Sequence, residues 1–284
     1  MKSVALVVHR ERPEAHAVAR TAAHWLTEHG VEVRIATDEA GIIGLDGHAV
    51  AADVLADGVD LVVSVGGDGT MLHAVQLVYP RPVPVVGVNA GQLGYLTSIE
   101  LTELEPSLAR LVAGDFRVSE RMVLEVSVRA SGVAAGPWFA LNEAVLEKVR
   151  AGHLVRLEVC VNGSPFTTYA ADGVIVATPT GSTAYSFSAR GPIASPALQC
   201  LLVTPVSPHM LFDRTLLLAA DEQLDLVVSA ERPVAFTVDG RDVGLLESGD
   251  TVTCRAASAP ARIVELEPRD FHQLLKAKFE LPDR

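Results

Sequence analysis

The sequence predicts two unlike halves: an N-terminal α/β domain, with a parallel sheet flanked by helices, and a β-rich C-terminal half of antiparallel strands. Three observations carry this reading. Apolar strands alternate with amphipathic helices over roughly the first 114 residues. From Phe116 onward the apolar residues recur at every second position, as in Met122, Leu124, Val126 and Val128. Asn162-Gly163 and Asp239-Gly240 then supply the dipeptides favoured in two-residue hairpins.

Taken in order, residues 3–8 form a continuous apolar strand. Residues 13–29 form a helix, because Ala15, Val18, Ala19, Ala22, Trp25 and Leu26 fall at helical spacing. Pro13 suits its first turn and Gly30 its end. Strands are expected at 31–36, 61–65 and 82–88, a weak helix at 49–55, and a helix from Thr70 to Tyr79-Pro80. Residues 102–112 form a helix with Thr102 and Glu105 as its capping box and Gly114 as its stop. In the second half strands are expected at 139–148, 155–161, 166–170, 174–177, 224–228, 234–238, 251–254 and 262–266. Residues 270–279 are helical again. The domains are therefore drawn as 1–117, 118–266 and a terminal helical segment, 267–284.

With 284 residues, 49% of them hydrophobic, the chain can build the core of one large domain or two ordinary ones. The formal net charge of −12 argues against a nucleic-acid-binding face and against adhesion to anionic lipid. An anionic nucleotide would need a locally positive site made from backbone amides, a few Arg or His residues and a divalent cation. Cys160, Cys200 and Cys254 are odd in number and widely spaced, which fits neither a disulfide framework nor a zinc site and suggests a reducing compartment. The first eight residues lack the pattern of a signal segment, and no apolar run reaches membrane length, so the expected location is the cytoplasm.

One stretch organises the rest. The strand 61–65 runs into Gly66-Gly67-Asp68-Gly69-Thr70, and a helical pattern follows at once. Strand, glycine-rich turn and helix together make a phosphate loop: the glycines admit an anion close to the backbone, and the helix start offers N–H donors. Asp68 is the unusual member, since a carboxylate beside phosphate is repelled unless a metal or a reacting hydroxyl lies between them. The competing interpretation is an ordinary turn with Asp as a cap. A second such stretch runs from Asp172 through Thr178-Pro179-Thr180-Gly181-Ser182-Thr183-Ala184-Tyr185-Ser186-Phe187-Ser188. Here a short strand meets a hydroxyl-rich turn, a helix is expected from Ser182 or Thr183, and Tyr185 offers a surface for a base. A well-capped helix is the alternative.

The pentad resembles the Gly-Gly-Asp-Gly-Thr signature of NAD kinases, diacylglycerol-type lipid kinases and, loosely, 6-phosphofructokinases. The second stretch is similar to the long central signature of NAD kinases alone. Asn142-Glu143 resembles that family's Asn-Glu pair, Glu120-Arg121-Met122 a segment at its domain junction, and Asn89-Ala90-Gly91-Gln92-Leu93-Gly94-Tyr95 its Asn-x-Gly-x-x-Gly-Phe stretch, with Tyr replacing Phe. The likeness runs along nearly the whole chain.

The resemblance implies an α/β domain followed by a sandwich-like β domain, with the last helix returning to the first. It implies transfer of the terminal phosphoryl group of ATP, or of polyphosphate, to the 2′-hydroxyl of the adenosine ribose of NAD. Asp68 would be the catalytic carboxylate. Gly66, Gly67, Gly69 and Thr70 would form the ATP phosphate loop. Asp68, Gly69, His73, Asn142, Glu143, His153, Asp172 and the run Thr183, Ala184, Tyr185, Ser186, Phe187 and Ser188 would bind NAD. His73 and His153 stand where relatives carry more basic groups, and Arg241 stays outside this set. Magnesium would arrive with ATP, no fixed metal cage being visible. A homodimer or homotetramer is implied, with no nucleic-acid or membrane partner. The rival readings are a lipid kinase sharing the pentad and a non-catalytic NAD sensor.

Overall fold

The computed structural model describes residues 1–91, 94–130, 132–229, 231–268 and 270–282. The chain divides into two compact units, Met1–Glu120 with Ala261–Arg284, and Arg121–Pro260.

The first unit is built on a sheet whose strands run Ala49–Val50, Glu32–Ala36, Ser3–Val8, Leu61–Gly66 and Val85–Asn89, then Ala261–Glu265 and Arg117–Arg121, with parallel pairing from Ala49–Val50 through Ala261–Glu265. Strand Ser3–Val8 pairs in parallel with both Glu32–Ala36 and Leu61–Gly66, which reverses the winding direction beside it. Its six residues are all buried, as are those of Leu61–Gly66. This is why both read as unbroken apolar runs rather than as alternation. Helix Pro13–Glu28 buries Ala15, Ala19, Ala22, Ala23 and Leu26, and Gly30 follows with φ +75°.

The second unit holds two antiparallel sheets. One runs Leu216–Ala219, Cys200–Val206, Gly173–Ala177, Glu143–Lys148, Val234–Val238 and Arg241–Leu246. The other runs Ser164–Ala171, Val155–Val161, Leu224–Val228, Thr251–Ala256, Leu124–Arg129 and Trp138–Ala140. Leu124, Val126, Leu157 and Tyr169 of the second sheet share one buried cluster with Leu146, Val174, Leu201 and Phe236 of the first, as in a sandwich. The opposite face of the first sheet is also covered, through Val145, Ile175, Ala177 and Leu202. Both expected hairpins form with positive φ at the two turn residues, +51° and +75° at Asn162-Gly163 and +47° and +73° at Asp239-Gly240.

Four expectations need correction. The chain re-enters the first unit with strand Ala261–Glu265, whose Ile263 pairs with Val85, and not with the last helix alone. Helix Leu104–Ala113 begins after a short 3₁₀ turn, Leu101–Glu103, and has no side-chain cap, so the Thr102–Glu105 box does not form. Residues 49–55 hold strand Ala49–Val50 and a 3₁₀ turn, Ala52–Val54, in place of a helix. After Pro179 the chain makes a 3₁₀ turn, Thr180–Thr183, and one helical turn, Tyr185–Ser188, in place of a longer helix. The final helix, Phe271–Lys278, starts at Asp270, whose carboxylate accepts the amides of His272 and Gln273. Its Lys278 ammonium lies 4.3 Å over the Tyr95 ring.

Candidate active site

In the first unit the site grows from strand Leu61–Gly66 and helix Asp68–Val78. Gly66 is a packing glycine: a Cβ there would collide with the Thr70 side chain. Gly67 and Gly69 are different. Neither has a positive φ, and a Cβ on either would meet open space. Neither the local backbone nor the neighbouring atoms require glycine at these two positions. The amides of Thr70 and Met71 turn back to the Gly67 carbonyl at 3.1 Å, and Thr70 is buried. That leaves the Asp68 and Gly69 amides at the helix start, where a helix has no acceptor of its own.

Asp68 is half-buried, and its carboxylate reaches into the loop after strand Val85–Asn89. It accepts the Tyr95 amide at 2.8 Å and the Leu96 amide at 2.9 Å. Gly94 lies so close that a Cβ there would collide with Asp68 Oδ1. Asn89 fixes the start of the same loop: its Oδ1 accepts the Gly91 amide at 3.1 Å, and its amide group donates to Glu100 at 3.2 Å. Gln92 and Leu93 lie outside the described residues. The Gly67–Thr70 turn and His73 line a groove of about 530 Å³ whose opposite wall is Val8 to Arg12, with Glu39 alongside. Arg10, Arg12, His9 and His73 stand on the groove walls among the carboxylates of Glu11, Glu39 and Asp68.

In the second unit, Asn142 and Glu143 sit at the start of strand Glu143–Lys148. One side chain, Asp239, shapes their turn by accepting the amides of Leu141, Asn142 and Glu143 at 2.8, 2.8 and 3.1 Å. The Thr178 hydroxyl donates to the Leu141 carbonyl, and the Thr178 amide donates to the Asn142 carbonyl at 2.8 Å. A Cβ on Gly181 would collide with that same Asn142 carbonyl. The Asn-Glu pair and the Thr-Pro-Thr-Gly-Ser turn are thus one construction.

The Glu143 side chain is buried, and its Oε2 has no hydrogen-bond partner among the described residues. Burial, helped by the nearby Asp239 charge, pushes its carboxyl up to about 8. Asp172 pairs with Lys148 at 2.5 Å. The Tyr185 hydroxyl lies 3.4 Å from Glu147, and its proton is held more tightly than usual, first by burial and then by the Glu147, Asp172 and Glu143 charges. Glu143, Asp172 and Tyr185 thus lie close enough to feel one another's charge.

Of the run from Thr183 to Ser188, Tyr185, Phe187 and Ser188 are exposed and Thr183 and Ala184 half-buried. The Ser186 hydroxyl is buried against that of Thr204 at 3.0 Å and braces the turn from within. His153 lines another groove, of about 420 Å³, with Lys148, Arg150 and Arg232, and Lys148 pairs with Asp172. Asp239 and Glu39 were missed as site residues. Asp239 read only as half of a hairpin dipeptide. Glu39 falls in a stretch that Gly41, Gly44 and Gly47 mark as a loop, where nothing singles out one carboxylate.

The ATP-NAD kinase N-terminal domain family matches residues 4–116, and the ATP-NAD kinase C-terminal domain family matches residues 141–266. The chain is similar to an NAD kinase of Heliobacterium modesticaldum, 41% identical over 281 residues and 99% of each chain. It is similar to another from Citrifermentans bemidjiense, 40% identical over 289 residues and the whole of both chains. Among solved structures it resembles yeast NADH kinase complexed with NADH, with a TM-score of 0.91 and 25% identity, covering 100% of this chain and 89% of that one. It shares the fold of an Archaeoglobus fulgidus NAD kinase in complex with ATP, with a TM-score of 0.76 and 24% identity, covering 99% and 100%. With the pentad loop in one unit, the Asn-Glu turn in the other, and both domain families matched in order, the chain belongs to the NAD kinase family.

Proposed function

We propose that the protein transfers the terminal phosphoryl group of ATP to the 2′-hydroxyl of the adenosine ribose of NAD, giving NADP and ADP. One observation carries the assignment of roles: Asp68 lines the groove with both carboxylate oxygens fixed by backbone amides, beside two glycines whose missing side chains leave open space next to the backbone. Each oxygen has a second lone pair free to accept a hydroxyl. Asp68 is therefore the residue that orients the attacking ribose oxygen. Because phosphoryl transfer is loose, alignment of that oxygen outweighs early removal of its proton. The Asp68 and Gly69 amides, with Arg10, Arg12 and His73 on the groove walls, offset the charge of the phosphates.

Among the described residues no cluster of three or more His, Cys, Asp or Glu side chains is gathered to hold a metal ion. The divalent cation belongs to the donor and enters as Mg-ATP, keeping several of its waters. Asn142, Glu143, Asp172 and the surface of the Thr183–Ser188 run hold NAD. Glu143, protonated at neutral pH, can donate to a ribose hydroxyl or an amide oxygen of the dinucleotide. His153, through Lys148, acts on this set at one remove. The working form is a homodimer or homotetramer in the cytoplasm, as the resemblance implies; the three free cysteines suit a reducing compartment. No helix among the described residues is long and apolar enough to cross a membrane.

The test is one assay of the purified chain with NAD or NADH as acceptor and Mg-ATP or polyphosphate as donor. NADP formed from NAD and Mg-ATP is the expected result. NAD binding with no NADP formed would favour the sensor. Phosphorylation of a diacylglycerol or sphingoid alcohol, with none of NAD, would favour the lipid kinase.

A further inference from the structure

Glu39 is a carboxylate that the phosphate groove does not obviously want. It sits on helix Thr37–Ile43, is 3% exposed, and lines the same groove as Asp68 and His73. One oxygen, Oε2, accepts the Val8 amide at 2.8 Å and so ties the helix to the end of the first strand. The other, Oε1, lies 4.0 Å from Nε2 of His73. His73 stands on the helix that begins at Asp68, one turn beyond the pentad, and is 40% exposed at its side chain.

The remaining charges around Glu39 are accounted for. Arg10, on the facing loop, is engaged with Asp38. Asp38 adjoins Glu39 on its own helix, while Asp68, His9, Glu11 and Arg12 line the groove farther along. Burial lifts the Glu39 carboxyl above its ordinary value, and the Val8 amide and Arg10 hold it down. An ionised carboxylate here opposes any phosphate at the Asp68 and Gly69 amides unless a cation offsets it, and the imidazole of His73, 4.0 Å from Oε1 and lining the same groove, can supply one.

We infer that Glu39 is a positioning residue for phosphate binding: from beneath, it keeps His73 oriented and positively charged toward a nucleotide phosphate held in the pentad groove. The inference rests on the kinase reading above and adds to it a source of positive charge that works where an isolated imidazole would be neutral. The phosphate can be that of ATP or the pyrophosphate of NAD, and the experiment separates the two.

The experiment compares wild type, Glu39→Gln and His73→Gln at pH 6 and pH 8, reading KM for Mg-ATP, KM for NAD and kcat separately. Glutamine keeps an oxygen for the Val8 amide and removes only the charge. Glu39→Gln raises one KM at pH 8 by about threefold to tenfold, the effect of a half to one unit in the protonation balance of an imidazole. At pH 6, where an imidazole is charged without help, the variant lies within about twofold of wild type. The KM that moves names the phosphate. His73→Gln raises the same KM at both pH values, and the double variant is no worse than His73→Gln alone.

Calorimetry with the same nucleotide, in Tris and in HEPES at pH 8, should show more proton uptake on binding to Glu39→Gln than on binding to wild type. Equal KM values for wild type and Glu39→Gln at pH 8, or an effect of the same size at both pH values, would overturn the inference. If Glu39→Gln does not fold, His73→Gln decides alone: an unchanged KM for both nucleotides overturns it. Wild type forming no NADP would instead remove the kinase reading itself.

Discussion

Both oxygens of Asp68 are held by one distant loop: the Tyr95 amide donates to Oδ2 at 2.8 Å and the Leu96 amide to Oδ1 at 2.9 Å. The side chain expected to meet the substrate is also the clamp that joins the two glycine-rich turns of the first unit.

This dual role changes what Asp68→Asn should do. Asparagine offers one acceptor oxygen and turns an NH₂ group against the second amide. The variant should lose about two to four decades of kcat, the range for removing a positioned catalytic group. It should also lose about 1–3 kcal/mol of stability from the amide left unpaired. Kinetics and urea unfolding on the same preparation check both; full stability with lost turnover would argue against the clamp.

Gly94→Ala tests the same geometry from the other side. A Cβ at this position collides with Asp68 Oδ1 and with the Thr97 hydroxyl, so the carboxylate must move. A displacement near 1 Å in a catalytic group costs about a hundredfold in rate. The variant should fold, bind NAD and lose kcat on about that scale; wild-type kcat would mean that the Asp68 position is not critical.

Glu143 sets a pH dependence of stability. Its carboxyl lies at about 8 in the folded protein against 4.5 as its reference value. The folded state therefore holds this proton more tightly than the unfolded chain. The associated stability is complete below the unfolded value and is lost as pH rises through about 8. Glu143→Gln, a neutral isostere, should match wild type near pH 4.5 and be more stable by about 2–4 kcal/mol at pH 9. Unfolding curves at the two pH values test this; a gap that does not widen with pH would refute it.

Asp239→Ala removes the acceptor of three amides at once. The cost is about 2–5 kcal/mol, because the amides of a tight turn lose a charged partner. The Asn142–Glu143 turn then loosens, and KM for NAD should rise more than kcat falls. A change in kcat alone would place Asp239 elsewhere in the cycle.

Local chemistry made much of this legible beforehand. Strand Leu61–Gly66 and helix Pro13–Glu28 could be read because their burial leaves a periodic trace in the residues themselves. Both hairpins were legible because only a few dipeptides tolerate two successive positive φ values. The capping box at Thr102 was a false signal: the chain spends Leu101–Glu103 in a 3₁₀ turn before the helix begins, and no local rule foretells that choice. The strand Ala261–Glu265 looked like one more antiparallel strand, since a five-residue segment of this kind does not state which sheet it will join.

The sequence by itself determined the two kinds of architecture, the pentad with its lone carboxylate, and the Asn142-Glu143 and Asp172 motifs, because these depend on residue type within a few positions. Only the tertiary structure decided that Asp68 grips the amides of Tyr95 and Leu96, that Asp239 builds the turn at Asn142, and that Glu39 lies beneath His73. Those pairs are 28, 97 and 34 residues apart. A carboxylate's partner across such a span is set by how strands and helices stack, and the chain records that stacking only as the common need to bury apolar surface.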